Sequence, residues 1–288
     1  MTSAEKRSRG RLVASMCIFG TIGILRRCIP LSSSLIALVR GVVGAAFLLL
    51  VVTLGRKKRN TAAIRQNLAL LIASGAAIGF NWILLFEAYN HTSVATATLC
   101  YYLAPILVIL AAPLVLKEKL TARKGLCAAI ALAGMVLVSG VLEVDHAGLS
   151  ERKGIFFGLG AAALYACVIL MNKKMRDISA YDKTIVQLVT ASLALLPYVL
   201  LTEDWTQVVI SPLSAVLLLA AGVLHTGVAY WMYFGSMAAL QAHTVALFSY
   251  IDPILAIVLS MLLLKEPMSA SSAVGAVMIL GAAYASEK

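Results

Sequence analysis

Long apolar runs dominate this chain and decide the solvent it can fold in. A hydrocarbon core about 30 Å thick is crossed by roughly 20 residues of helix. Reading for such stretches gives ten, at 12–30, 33–54, 68–89, 94–116 and 123–142, then 154–172, 184–201, 213–238, 243–264 and 271–286. None alternates polar and apolar residues as a strand of a membrane barrel must. The predicted fold is therefore an all-α integral membrane protein of ten transmembrane helices. Composition agrees: 61% of the 288 residues are hydrophobic and 13% charged, against about half and a quarter in soluble domains. A chain of this size cannot enclose that much apolar surface in water.

The net charge of +11 raises the question of nucleic acid. The basic residues sit in short blocks between the apolar runs and form no basic face, which argues against it. Lys6, Arg7, Arg9 and Arg11 precede the first run. Arg56, Lys57, Lys58, Arg59 and Arg65 follow the second, Lys117, Lys119, Arg123 and Lys124 flank the fourth and fifth, and Lys173, Lys174, Arg176 and Lys183 the sixth and seventh. The alternate loops hold only Arg26, Arg27, Arg152, Lys153 and Lys265. Such a bias predicts both termini in the cytoplasm, and a bacterial inner membrane is the expected location. The first run resembles a signal peptide, but Arg26-Arg27-Cys28-Ile29-Pro30 offers no small-residue cleavage site, so it reads as the first span. Cys17, Cys28, Cys100, Cys127 and Cys167 are scattered singly and suggest neither disulfides nor a metal site. No cofactor is expected. Asn90-His91-Thr92 matches a glycosylation acceptor in a loop too short to favour one.

The chain also repeats itself. Tyr102-Leu103-Ala104-Pro105-Ile106-Leu107 matches Tyr250-Ile251-Asp252-Pro253-Ile254-Leu255, and Leu116-Lys117-Glu118 matches Leu264-Lys265-Glu266, both 148 positions apart. Asn81-Trp82 answers Tyr230-Trp231 with one residue of slip. Residues 1–147 and 148–288 then form two halves of five spans each. Because five is odd, the second half is upside down relative to the first. Inverted repeats are a transporter architecture, with substrate held near the midplane where the halves meet.

Two five-helix halves, Arg40 in the second span, the Pro105 and Pro253 spans and the Lys-Glu pairs closing them resemble the drug/metabolite transporter superfamily, and within it the EamA family. The resemblance extends over nearly the whole chain. It implies a ten-helix basket whose central cavity is lined mainly by the third, fourth, eighth and ninth helices. It also implies a small-molecule substrate drawn from amino acids, cationic drugs and other metabolites, with export as the favoured direction.

Ionisable groups at bilayer depth are costly and mark candidate functional residues. Asp252 lies in the ninth span directly before Pro253, where the helix is loosened. It can take a proton, bind a cation or simply be tied down at the kink. His225 lies mid-way along the eighth span, at a depth about 7 Å from that of Asp252, so a direct or water-bridged contact is open to the two; the alternative is a histidine satisfied by Thr226 or a backbone carbonyl. Ala104 and Ala76 stand at the corresponding places in the first half, so proton chemistry is expected in the second half. Arg40 can fork onto a carboxylate or phosphate, snorkel outward, or pair with Glu87 as an outer gate or a static clamp. Asn81, Trp82, Tyr101, Tyr102, Tyr230, Trp231 and Tyr250 form the candidate substrate-binding set, with ordinary helix packing as the alternative for each. Glycines such as Gly44, Gly134 and Gly222 read as close-packing positions.

The expected function is secondary-active or facilitative transport of a small polar metabolite, such as an amino acid, organic cation or drug-like solute, by alternating access. Lipid is the surrounding partner and protons the candidate coupling ion; monomer and dimer both fit. No G-x-S-x-G, H-E-x-x-H or phosphate-loop motif occurs. The rival reading is an intramembrane enzyme built on Asp252 and His225.

Overall fold

The computed structural model describes residues 3–56, 59–117, 121–138, 148–237, 240 and 248–287. No strand occurs among the described residues. The first half comprises α1 (Ser3–Gly20), α2 (Ile22–Arg27), α3 (Ser33–Leu54), α4 (Thr61–Gln66), α5 (Leu68–His91), α6 (Val94–Tyr101), α7 (Ala104–Val115) and α8 (Ala122–Val138). The second comprises α9 (Leu149–Lys174), α10 (Ala180–Thr202), α11 (Pro212–Ala220), a π-helical segment (Ala221–Val228), α12 (Ala229–Met237), α13 (Ile251–Leu263) and α14 (Ala270–Glu287).

Seven helical segments are long and apolar enough to cross a membrane: Lys6–Arg27, Ser33–Leu54, Leu68–His91, Val94–Val115, Leu149–Lys174, Ala180–Thr202 and Pro212–Ser236. The remaining runs read from the sequence form shorter apolar helices. Run 123–142 is helical over Ala122–Val138, run 243–264 over Ile251–Leu263, and the last over Ala270–Glu287. Glu118, the end of the first half and the turn near Gln241 lie outside the described residues.

Local chemistry sets the helix ends. Ser32, Ser93, Ser179 and Ser211 each accept a hydrogen bond from a backbone N–H of the first turn that follows them, satisfying donors that have no partner within the helix. Pro105 and Pro253 break two spans. Tyr102 and Leu103 separate α6 from α7, and Tyr250 stands at the start of α13. A proline supplies no N–H to the carbonyl four residues back, so each span yields one turn before its proline.

Packing follows small residues. α9 runs against α5, α10 against α5 and α3, α14 against α8, and α3 against the π-helical segment. At Gly75 an added Cβ would stand 2.7 Å from the Gln187 carbonyl oxygen of α10, and at Gly134 it would stand 2.8 Å from the Gly275 carbonyl oxygen of α14. Backbones come this close only where a side chain is missing, which is how helices gain dispersion energy in lipid. Phe86, Leu48, Leu188 and Leu195 fill one core, and Ile106, Met135 and Ile279 a second. Outside, large apolar side chains stand bare: Leu114 is 87% exposed and Leu201 86%. Lipid is the natural cover for them.

Clasps of polar residues hold the bundle ends. Asp182 accepts from the Asn60 backbone N–H at 3.3 Å and pairs with Arg59 at 3.5 Å. At the far end of α10, Ser34 of α3 donates to Glu203 at 2.7 Å, so α10 is held at its start to the N-cap of α4 and at its end to α3. Glu266 makes a different clasp. One carboxylate oxygen accepts from Arg27 at 2.8 Å; the other accepts from the Val94 backbone N–H at 2.8 Å and from Ser260. It thereby joins the loop after α13 to the end of α2 and the N-terminus of α6, where an anion is favoured.

Gly75→Val is expected to lower stability by about 1–3 kcal/mol through overpacking against α10. Gly125→Ala, at a position with no atom within 4 Å of the added Cβ, is expected to leave the thermal midpoint in detergent unchanged.

Candidate functional site

Arg40 sits two turns inside α3 and is 6% exposed. Its Nε donates to the Thr226 hydroxyl at 2.7 Å. The guanidinium lies 4.4 Å from the Trp82 ring centroid and 5.8 Å from that of Phe86, both on α5, close enough for cation–π attraction. The close approach of α3 to the π-helical segment makes the contact possible, because a Cβ at Gly44 would collide with the Thr226 methyl group. Thr226 in turn donates to the Ala221 carbonyl at 3.1 Å. Arg40 thus neither snorkels nor pairs with Glu87. Glu87 lies at the end of α5, 3.7 Å from His91 and 3.5 Å from Asn90.

His225 occupies the same π-helical segment. Its Nδ1 is 3.3 Å from the Ala220 carbonyl and its Nε2 is 2.9 Å from the Thr21 hydroxyl. A carbonyl only accepts, so Nδ1 carries the proton and the neutral ring accepts from Thr21 at Nε2. The Thr21 hydroxyl also lies 2.7 Å from the Ile18 carbonyl. If the ring gains a proton, Nε2 donates to Thr21 and the hydroxyl turns to Ile18. The contact is satisfied in both states. π-helical turns concentrate at functional sites because the extra residue re-aims side chains.

Asp252 meets neither His225 nor a cation among the described residues. Its carboxylate accepts from the Tyr102 hydroxyl at 2.8 Å, and that hydroxyl is also 3.4 Å from the Ser249 carbonyl, the one Pro253 deprives of its helical donor. The two proline breaks therefore touch. Gly20 of α1 completes the wall: a Cβ there would stand 2.8 Å from the Asp252 carbonyl oxygen.

The aromatic residues divide. Tyr101 stacks on Tyr165 with centroids 5.2 Å apart, and Tyr230 meets Phe19 edge-on at 5.4 Å. The hydroxyls of Tyr89, Tyr101 and Tyr230 are within electrostatic reach of Arg40, and Tyr89, Tyr101 and Tyr165 within reach of Asp252. Trp231 turns out of this group. It is exposed, lies under Arg11 at 5.6 Å, and its carbonyl accepts from Tyr181. Tyr250 packs edge-on against Tyr284 at 6.0 Å, beside the second core. The Asn81 amide donates to the Ala161 carbonyl at 2.5 Å, tying α5 to α9. Thr21, Tyr89, Thr226, Tyr165 and Phe19 join the group without any mark in the sequence, since each is an ordinary residue made significant by a partner far along the chain. Among the described residues no set of three His, Cys, Asp or Glu side chains is placed to hold a metal.

Comparison with known proteins agrees with this architecture. A solved crystal structure superposes with a TM-score of 0.66 over 96% of this chain and 95% of its own, at 18% identity, a likeness of fold alone. An uncharacterized transporter of Bacillus subtilis (strain 168), YxxF, is 28% identical over 256 residues, covering 86% of this chain and 79% of the relative. Protein PecM of Dickeya dadantii (strain 3937) is 24% identical over 271 residues, covering 92% and 87%. The model of the EamA-like transporter family matches twice, over residues 11–140 and 152–286. The chain is a multi-pass membrane protein and belongs to the EamA-like transporter family.

Proposed function

We propose that this protein moves a small polar metabolite across the inner membrane by alternating access, with proton coupling through Asp252 and export as its direction. In this reading both termini are cytoplasmic. Ten spans form two inverted halves, 1–147 and 148–288, in keeping with a family model that fits each half separately. The observation that carries the proposal is the contact between the two broken spans, Tyr102 to Asp252. Each half contributes an interrupted helix, the interruptions meet at mid-depth, and the meeting point holds a carboxylate with no cation beside it among the described residues. Broken helices that face each other inside a membrane build binding and coupling sites in secondary transporters. Membership of a transporter family speaks for solute movement, and Asp252 and His225 have other partners, Tyr102 for one and Thr21 for the other.

The clasps assign moving and fixed parts. α10, held at both of its ends, acts with α3 as the fulcrum. The Glu266 clasp holds α2 and α6 to the loop after α13 at what is then the outer face, and opening there requires it to break. The structure corresponds to an outwardly closed state.

Asp252→Asn is expected to abolish the effect of an imposed pH gradient on initial uptake rates in proteoliposomes; a gradient effect equal to wild type would remove Asp252 from the coupling. Glu266→Gln weakens two charge-assisted hydrogen bonds, each worth about 1.5–3 kcal/mol. It is expected to raise severalfold the rate at which an impermeant maleimide labels a cysteine placed at the buried Thr98 in a cysteine-free background. Unchanged labelling would mean that the clasp does not gate the outer face.

A further inference from the structure

We propose that Arg40 is the binding residue for a carboxylate on the transported solute, which makes the substrate a small organic monoanion or zwitterion rather than a simple organic cation. The inference rests on the transport reading and goes beyond it to substrate class.

The argument starts from an incomplete hydrogen-bonding set. A guanidinium has five N–H donors in a fixed planar fork. In Arg40 only Nε is engaged, by Thr226. Nη1 and Nη2 meet no acceptor among the described residues, and no carboxylate lies within ion-pair distance. Other arginines engage their terminal nitrogens: those of Arg26 reach the Ile29 carbonyl and Ser33, leaving only its Nε without a partner, and Arg27 reaches Glu266 and the Thr92 carbonyl. A charge buried in a membrane span without a counter-charge is costly, and such groups serve substrate paths or pair with one another. Among the described residues Arg40 has no carboxylate to pair with, and the proposal supplies that partner from the solute.

Position supports the same reading. The terminal nitrogens lie beside Trp82 and Phe86, in the field of the Tyr89, Tyr101 and Tyr230 hydroxyls. A carboxylate can accept two parallel bonds from the fork, with phenols near to donate further and aromatic rings to receive an apolar remainder. The repeat agrees as well. Leu188 and Val189 stand where Arg40 would recur in the second half, so the residue is not part of the duplicated scaffold.

Four probes sharing one aromatic ring separate the charges: 3-phenylpropionate (carboxylate only), phenylalanine (carboxylate and ammonium), phenethylamine (ammonium only) and 3-phenylpropanamide (neither). The measurement is the thermal midpoint of detergent-purified full-length protein at millimolar probe. The two carboxylates are expected to raise it by about 3 °C or more, and the amine and amide are not. Arg40→Met should erase the carboxylate shift while its midpoint without probe stays at or above that of wild type, since the variant removes an uncompensated charge. Arg40→Lys, which keeps the charge but loses the fork, should retain part of the shift. If a zwitterion is preferred, phenylalanine exceeds 3-phenylpropionate; if not, the two agree. The assignment is overturned if neither carboxylate shifts the midpoint, if the amine or amide shifts it as far, or if the carboxylate shift survives in Arg40→Met. Flux in proteoliposomes keeps the two readings apart. Saturable phenethylamine uptake that is equal in wild type and Arg40→Met leaves transport standing without the carboxylate site, whereas no saturable flux of any probe strikes at transport itself.

Discussion

Inside a hydrocarbon layer every backbone N–H and C=O needs a partner within the protein, and the architecture follows from how this chain meets that demand. Long helices satisfy it automatically. The breaks at Tyr102–Leu103 and Tyr250 do not, because Pro105 and Pro253 withhold a donor at each. The solution is to place the breaks against each other, so that the Tyr102 hydroxyl reaches both Asp252 and the neighbourhood of the Ser249 carbonyl. Irregular backbone survives at this depth only when protein or an aqueous path surrounds it. The breaks therefore mark where the backbone itself demands protein or water around it, before any side-chain chemistry is considered.

The polar groups near that centre differ in how fully the fold satisfies them. Asn81 and Gln187 are fully structural in kind: one bonds the Ala161 carbonyl, the other bonds Ser74 and Asn172, and each joins two helices. His225 is held by a hydroxyl that can reverse its role, so its contacts tolerate two charge states. Among the described residues Asp252 has one neutral donor, and Arg40 has one neutral acceptor with no further hydrogen bond to its fork. Satisfaction falls from the packing residues to the two charges. A membrane protein leaves such a debt standing only where a ligand or an ion settles it.

Much of this was legible in the residues. Helicity and lipid exposure follow from run length, and the two spans broken at proline from the matches around Pro105 and Pro253. Arg40, Asp252 and His225 stand out as ionisable groups in apolar runs. The sequence misleads where it treats neighbours as partners. Tyr230 and Trp231 are adjacent, but successive residues of a helix point about 100° apart, so Tyr230 joins the inner group while Trp231 faces out beneath Arg11. Asn81 and Trp82 divide in the same way, one towards α9 and the other under Arg40. His225 and Asp252 lie at similar depth on spans close in the chain, yet the π-helical turn aims the ring at Thr21 on α1. Thr226, Tyr89 and Tyr165 carry no local signal at all, because their roles come from partners on other helices, 186 positions away for Arg40 and Thr226.

The asymmetry between the halves orders these observations. What recurs across the repeat is mechanical: the prolines, the tyrosine before each, and the closing Leu-Lys-Glu, of which Glu266 makes the clasp seen here. What does not recur is charge. Asp252 answers to Ala104, His225 to Ala76 and Arg40 to Leu188. In the alternating-access reading, parts that open a path first at one face and then at the other need a counterpart in each half. A solute resting between the halves needs its counter-charge only once. Duplicating Arg40 or Asp252 would put a second bare charge at bilayer depth with nothing to neutralise it, so the chemistry stays single while the machinery around it is doubled.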